Sequence, residues 1–119
     1  MQRKSSTSVR IFYPKVDREE VLWILSERLK ELEGQLPLVR VVLFGSYAKG
    51  NYTVGSDVDI LVVYKGELRD GAFAIVKRVL DIPRLEPHLY TEEEYKSMQE
   101  TLSKMTKDGI VLFPKSKKE

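Results

Sequence analysis

Two seven-residue runs, Leu38 to Phe44 and Val58 to Tyr64, constrain this chain more than any other feature. Both are rich in β-branched residues and nearly continuous in apolar character, interrupted only by Arg40 and Asp59. A strand with one face in water alternates apolar and polar residues. A run without that alternation fits a strand covered on both faces. The chain therefore has two central strands, joined by a turn-rich segment, Gly45 to Ser56, with glycines at 45, 50 and 55, and Asp57 enters the second strand.

Helical patterns flank these strands. Asp17-Arg18-Glu19-Glu20 reads as a capping box, with Asp17 as N-cap and Glu20 three residues on. Behind it Val21, Leu22, Ile24, Leu25, Leu29 and Leu32 recur at helical spacing, and Gly34 stands at the C-cap. A further helix is predicted over Asp70 to Leu80, with Phe73, Val76, Val79 and Leu80 inward and Pro83 beyond its end. Leu85 to Tyr90 reads as a shorter strand near a sheet edge, because Pro87 has no N–H to donate. Thr91-Glu92-Glu93-Glu94 is a second capping box. It opens a helix to about Lys107, with Tyr95, Met98, Leu102 and Met105 along one side and Gly109 as its cap.

Ile110 to Phe113 is either a last strand or a segment packed on the core, and Val9 to Tyr13 either an edge strand or an arm. Trp23, Tyr95 and Phe113 lie in core-like patterns and read as packing. Strands alternating with helices predict one α/β (α+β) domain over residues 1–119, with flexible tails at about 1–8 and 115–119.

Composition narrows the function. With 20 Lys+Arg against 18 Asp+Glu, a net charge of +2 disfavours nucleic acid as the main partner. The basic concentrations, Arg3-Lys4 and Lys115 to Lys118, fall at the ends. The absence of cysteine excludes disulfides, zinc–thiolate sites and thiol catalysis. With a single histidine, His88, no multi-histidine metal cluster can form, and His88 reads as structural or solvent-facing. The first eight residues are polar, without a signal-peptide core, and no apolar run approaches membrane-spanning length. The expected location is cytoplasmic.

The chemistry lies between residues 43 and 63. Gly45-Ser46 follows a buried strand directly, so the backbone can turn tightly and present N–H groups at the start of a short helix. Phosphate oxygens suit such a place, and the Ser46 hydroxyl adds a donor. Asp57 and Asp59 stand at the mouth of the next strand. Period-2 geometry puts both carboxylates on one face, with Val58 and Ile60 turned into the core. Two carboxylates so close repel each other unless a cation lies between them. Hard oxygen donors suit Mg²⁺, which completes its shell with water and substrate phosphates. Alone, a Gly-Ser turn or an Asp-x-Asp is ordinary turn chemistry. Together on consecutive strands they describe a site for phosphoryl or nucleotidyl transfer.

The segment Gly45-Ser46, then Ser56-Asp57-Val58-Asp59-Ile60, resembles the signature of the DNA polymerase beta-like nucleotidyltransferase superfamily. Length and element order are similar to its minimal nucleotidyltransferases. The resemblance implies a mixed sheet flanked by helices, with ATP or another NTP resting its triphosphate near Gly45 and Ser46. It also implies two Mg²⁺ ions at Asp57 and Asp59, and transfer of a nucleoside monophosphate to an acceptor hydroxyl with release of pyrophosphate. Lys49 falls where family members often carry a basic residue, and a solvated loop lysine is the equal alternative. Members carry a third carboxylate on a later strand. Glu86 is the candidate here, as metal ligand and proton acceptor, with Asp81 as fallback. The resemblance further implies a small helical HEPN-type partner, with this chain as the antitoxin that modifies it. A domain that keeps the fold without turnover, as a nucleotide-binding or partner-binding module, is the competing expectation.

Overall fold

Helix α1 spans Arg18–Glu33 in a computed structural model that describes residues 17–53 and 55–114. The expected tails and the Val9 to Tyr13 segment lie outside the described residues. Asp17 caps α1, its Oδ1 accepting the Glu20 N–H at 2.9 Å. Val21, Leu25, Leu29 and Leu32, three or four residues apart, form the buried stripe. Gly34 follows the helix in ordinary right-handed geometry, its N–H turned back to Glu31 and Leu32 carbonyls. Trp23 does not pack as expected: it is 66% exposed. Two residues from both Val21 and Leu25, it falls on the opposite side of the helix.

The sheet has four strands: β1 (Leu38–Phe44), β2 (Val58–Tyr64), β3 (Leu85–Thr91) and β4 (Ile110–Phe113). Their spatial order is β3-β2-β1-β4. β1 runs antiparallel to both β2 and β4, while β2 and β3 are parallel, so the sheet is mixed. The crossover between the parallel pair carries α3 (Ala72–Leu80), which packs beside α1 on one face of the sheet. The four-residue α2 (Ser46–Lys49) lies between β1 and β2. After β3 come α4 (Glu92–Ser97) and α5 (Gln99–Met105).

Both central strands are covered on two sides, as their unbroken apolar character requires. Val41, Leu43, Ile60, Val62 and Tyr64 enter the larger core with α1 and α3. Val42, Phe44, Leu61 and Val63 form a second cluster, against Tyr95 of α4 and Met105 of α5. The segment Ile110–Phe113 is a strand, paired with β1. Tyr95 and Phe113 pack against these cores as expected.

Two helices differ from their sequence patterns. α3 turns Ala72, Val76, Val79 and Leu80 inward, whereas Phe73 is 53% exposed. The predicted helix to Lys107 breaks at Met98, with φ −110° and ψ 20°, and Met98 lies in the exposed class. Neither proline nor glycine marks that break in the sequence. The edge position of β3 explains Pro87. Val58 N–H bonds Arg84 C=O, so residues 84, 86, 88 and 90 point their backbone groups toward β2. Pro87 falls on the alternate set, facing the free edge, where a missing N–H costs no ladder bond.

Candidate active site

Register brings the site together. Phe44, the last residue of β1, pairs with Asp59 on β2, and Asp59 pairs with Glu86 on β3. The chain leaves β1 at Gly45 beside the Asp59 carboxylate. Gly45 adopts φ 79° and ψ −153°, a region open essentially to glycine alone. A Cβ there would come within 2.5 Å of Asp59 Oδ2. The turn and the carboxylate therefore fit only because residue 45 has no side chain.

From Gly45 the chain enters α2, whose own ladder begins with Lys49 N–H bonding Gly45 C=O at 3.1 Å. The helix start is thus turned to the same corner as Asp59. Tyr47 and Ala48 anchor α2 in the core. Tyr47 stacks on Tyr52 with ring centroids 4.3 Å apart. Burial and the Tyr52 hydroxyl nearby push the Tyr47 phenol up from its ordinary value. Arg18 ties the segment to α1, donating from Nη1 to Ala48 C=O at 2.8 Å and from its backbone to the Tyr52 hydroxyl at 3.0 Å.

Val58 and Ile60 are buried and Asp59 is half-buried, which is the inward and outward division the spacing predicted. Asp57, exposed just before the strand, faces Arg84, with Nη2 and Oδ1 3.7 Å apart. Both side chains are about half exposed, so this pair adds little to stability. Arg84 holds a left-handed φ of 65° and Asp81 one of 41°, which turns the chain sharply from α3 into β3.

Glu86, His88 and Tyr90 share one face of β3, and Leu85 lies buried on the other. Glu86 is in register with Asp59 but exposed. Among the described residues, no three Asp, Glu or His side chains converge on one cation position. Asp81, the fallback carboxylate, caps α3 in the exposed class, and its carbonyl accepts from Arg28. Lys49 is exposed at the end of α2, and Ser46 is half-buried at its start.

His88 was not expected here. Its Nε2 lies 3.4 Å from Asp59 Oδ1, and its ring tilts against Phe44 at a centroid distance of 5.1 Å. Twenty-nine residues separate His88 from Asp59. The only sequence signal for the contact is the shared outward face of alternating strands.

Comparison with known proteins bears on the family and the fold. The family model of the nucleotidyltransferase domain matches residues 23–115, from within α1 to just past β4. The chain belongs to the nucleotidyltransferase domain family. A Methanocaldococcus jannaschii protein, named a putative protein adenylyltransferase, is 46% identical over 48 residues, covering 39% of this chain and 48% of that protein. The chain thus matches about half the length of this curated relative. A crystal structure titled as a putative nucleotidyltransferase from Sulfolobus solfataricus superposes with a TM-score of 0.57 at 26% identity, over 79% of this chain and 80% of the other. The crystal structure of a toxin–antitoxin with AMP-PNP gives a TM-score of 0.56 at 22% identity, over 76% and 74% of the two chains. The last likeness is one of fold. These neighbours share the family's mixed sheet flanked by helices. Among the described residues, no helix is long and apolar enough to cross a membrane.

Proposed function

We propose that this chain transfers a nucleoside monophosphate, AMP from ATP, to a hydroxyl of an acceptor protein and releases pyrophosphate. The observation that carries this reading is the fit of the Gly45 turn against the Asp59 carboxylate, where a Cβ would fill the space left between them. A phosphate-binding turn and an acidic strand mouth then meet at one corner. The adenylyltransferase named among the relatives supports a protein acceptor.

Divalent cations suit this donor set. Asp57 and Asp59 are the residues to hold them, since neither is tied into a strong ion pair with Lys or Arg among the described residues. Bound Mg²⁺ would neutralise phosphate charge and lower the pKa of the attacking hydroxyl. The start of α2 directs backbone N–H groups and the Ser46 hydroxyl at phosphate oxygens. Lys49 adds a point charge that can swing toward the triphosphate. Glu86, in register with Asp59 on the neighbouring strand and exposed, would accept the proton of an incoming hydroxyl. The acceptor is a helical partner of the HEPN type, with this chain as the antitoxin. The toxin–antitoxin neighbour supports a protein partner.

Transfer of label from α-labelled ATP into protein, with equimolar pyrophosphate, tests this reading in an extract supplied with Mg²⁺. Asp57→Asn and Asp59→Asn should each abolish transfer while the fold survives. Label transfer that persists in both variants would place the chemistry elsewhere. One observation favours a second reading, a nucleotide-binding module without turnover: Glu86 does not converge with the two aspartates. That module would bind nucleotide and release no pyrophosphate.

A further inference from the structure

We propose that Asp59 Oδ1 and His88 Nε2 are two ligands of one divalent-cation position, so that the site takes a nitrogen donor and prefers Mn²⁺ to Mg²⁺. The inference rests on the transfer site proposed above and names the metal it selects.

Geometry is the first argument. The two atoms stand 3.4 Å apart. That exceeds the roughly 2.7–3.2 Å of a good N–H···O hydrogen bond. It suits two donors on one ion: with each about 2.1 Å from a shared cation, the angle between them is about 105–110°, between octahedral and tetrahedral values. The side chains are 34% and 29% exposed, covered enough to be oriented and open enough for an ion to keep water. Phe44 packs against the imidazole and limits its rotation.

Charge is the second argument. Among the described residues, Asp59 forms no ion pair with lysine or arginine, and the side chain beside it is the imidazole of His88. The third carboxylate that the family resemblance implied is an exposed glutamate here, and the side chain that approaches Asp59 from β3 is His88 instead. Two protein donors leave most of the shell to water and phosphate oxygens, in keeping with the lack of a three-residue cluster among the described residues. Carboxylate and water alone suit Mg²⁺. An imidazole in the shell shifts preference toward transition-metal ions, which bind nitrogen more strongly.

The chain has one histidine, so directly bound imidazole can be assigned without ambiguity. The test is pulsed electron paramagnetic resonance of Mn²⁺ added alone to the untagged chain of residues 1–119, with calorimetric titrations of Mn²⁺ and Mg²⁺. The expected result is ¹⁴N coupling of a directly bound imidazole in wild type, lost in His88→Gln. Losing one outer partner typically costs about 10–100-fold in metal affinity, so His88→Gln should weaken Mn²⁺ at least tenfold and Mg²⁺ less. Mn²⁺ that binds, is lost in Asp59→Asn, and shows only oxygen ligands in wild type would overturn the role of His88 and leave the transfer site standing. Mn²⁺ that fails to bind, or binds equally well in Asp59→Asn, would overturn both. Wild-type coupling is read without any variant, so a misfolded substitution cannot mask the outcome.

Discussion

Gly45 holds a backbone conformation that any other residue would adopt only with strain, and its missing side chain is the space beside Asp59. Gly45→Ala should therefore lose activity through displacement of Asp59 and lose about 1–3 kcal/mol of stability through backbone strain. Paired denaturation and label-transfer assays would check both effects, and an active, equally stable variant would refute the fit. Asp59→Asn should behave differently, keeping its unfolding midpoint while losing transfer. The Gly-Ser and Asp-x-Asp spacing made this corner legible in the sequence, because each feature sits at a strand end whose parity is fixed by alternation. His88 was not legible in the same way. Its contact with Asp59 follows from the parallel register of β2 and β3, and a lone histidine on an edge strand carries no mark of that pairing. Glu86 was singled out by the resemblance, and both its register with Asp59 and its exposure come from how β3 sits at the sheet edge.

At the scale of elements, the strand patterns and the second capping box were legible, whereas the Asp17 box forms only the bond to Glu20 N–H and α3 starts at Ala72 without a side-chain cap. Both central strands begin and end where the apolar runs do. Thr91 and Glu94 form the reciprocal capping box that the Thr-Glu-Glu-Glu segment predicts, with bonds of 2.9 and 3.1 Å. Thr91→Ala should cost about 1 kcal/mol, the usual worth of an N-cap, measurable by chemical denaturation. The break between α4 and α5 was not legible, since helical spacing continues through Met98 and no breaker residue marks it. Gly109 does not cap α5 as expected, because the helix ends at Met105 with Thr106 as its C-cap; the role of Gly109 is tertiary. A Cβ there would meet Val42 Cγ1 at 2.6 Å and Leu43 O at 2.9 Å. Gly109→Ala should push β4 from β1 and expose the β1 amides to hydrogen exchange. Unchanged protection of Val42 and Leu43 would contradict this.

For the whole molecule, the alternation of strands and helices predicted an α/β domain, and the mixed order β3-β2-β1-β4 realises it. The exposure of Trp23 and Phe73 was missed because apolar residues in an amphipathic window look alike until the helix rotation is known. Burial in the larger core should dominate stability. Ile60, fully buried at the centre of β2, should cost about 2–5 kcal/mol when cut to alanine, against little for Trp23→Ala. The central claim concerns nucleotide and metal at one corner of this sheet. Calorimetric titration of a non-hydrolysable ATP analogue, with and without divalent cation, tests it most directly when wild type is compared with Asp57→Asn/Asp59→Asn. The account predicts binding that requires the cation and disappears in the double variant. Nucleotide binding that is indifferent to the cation and unchanged in the double variant would contradict it.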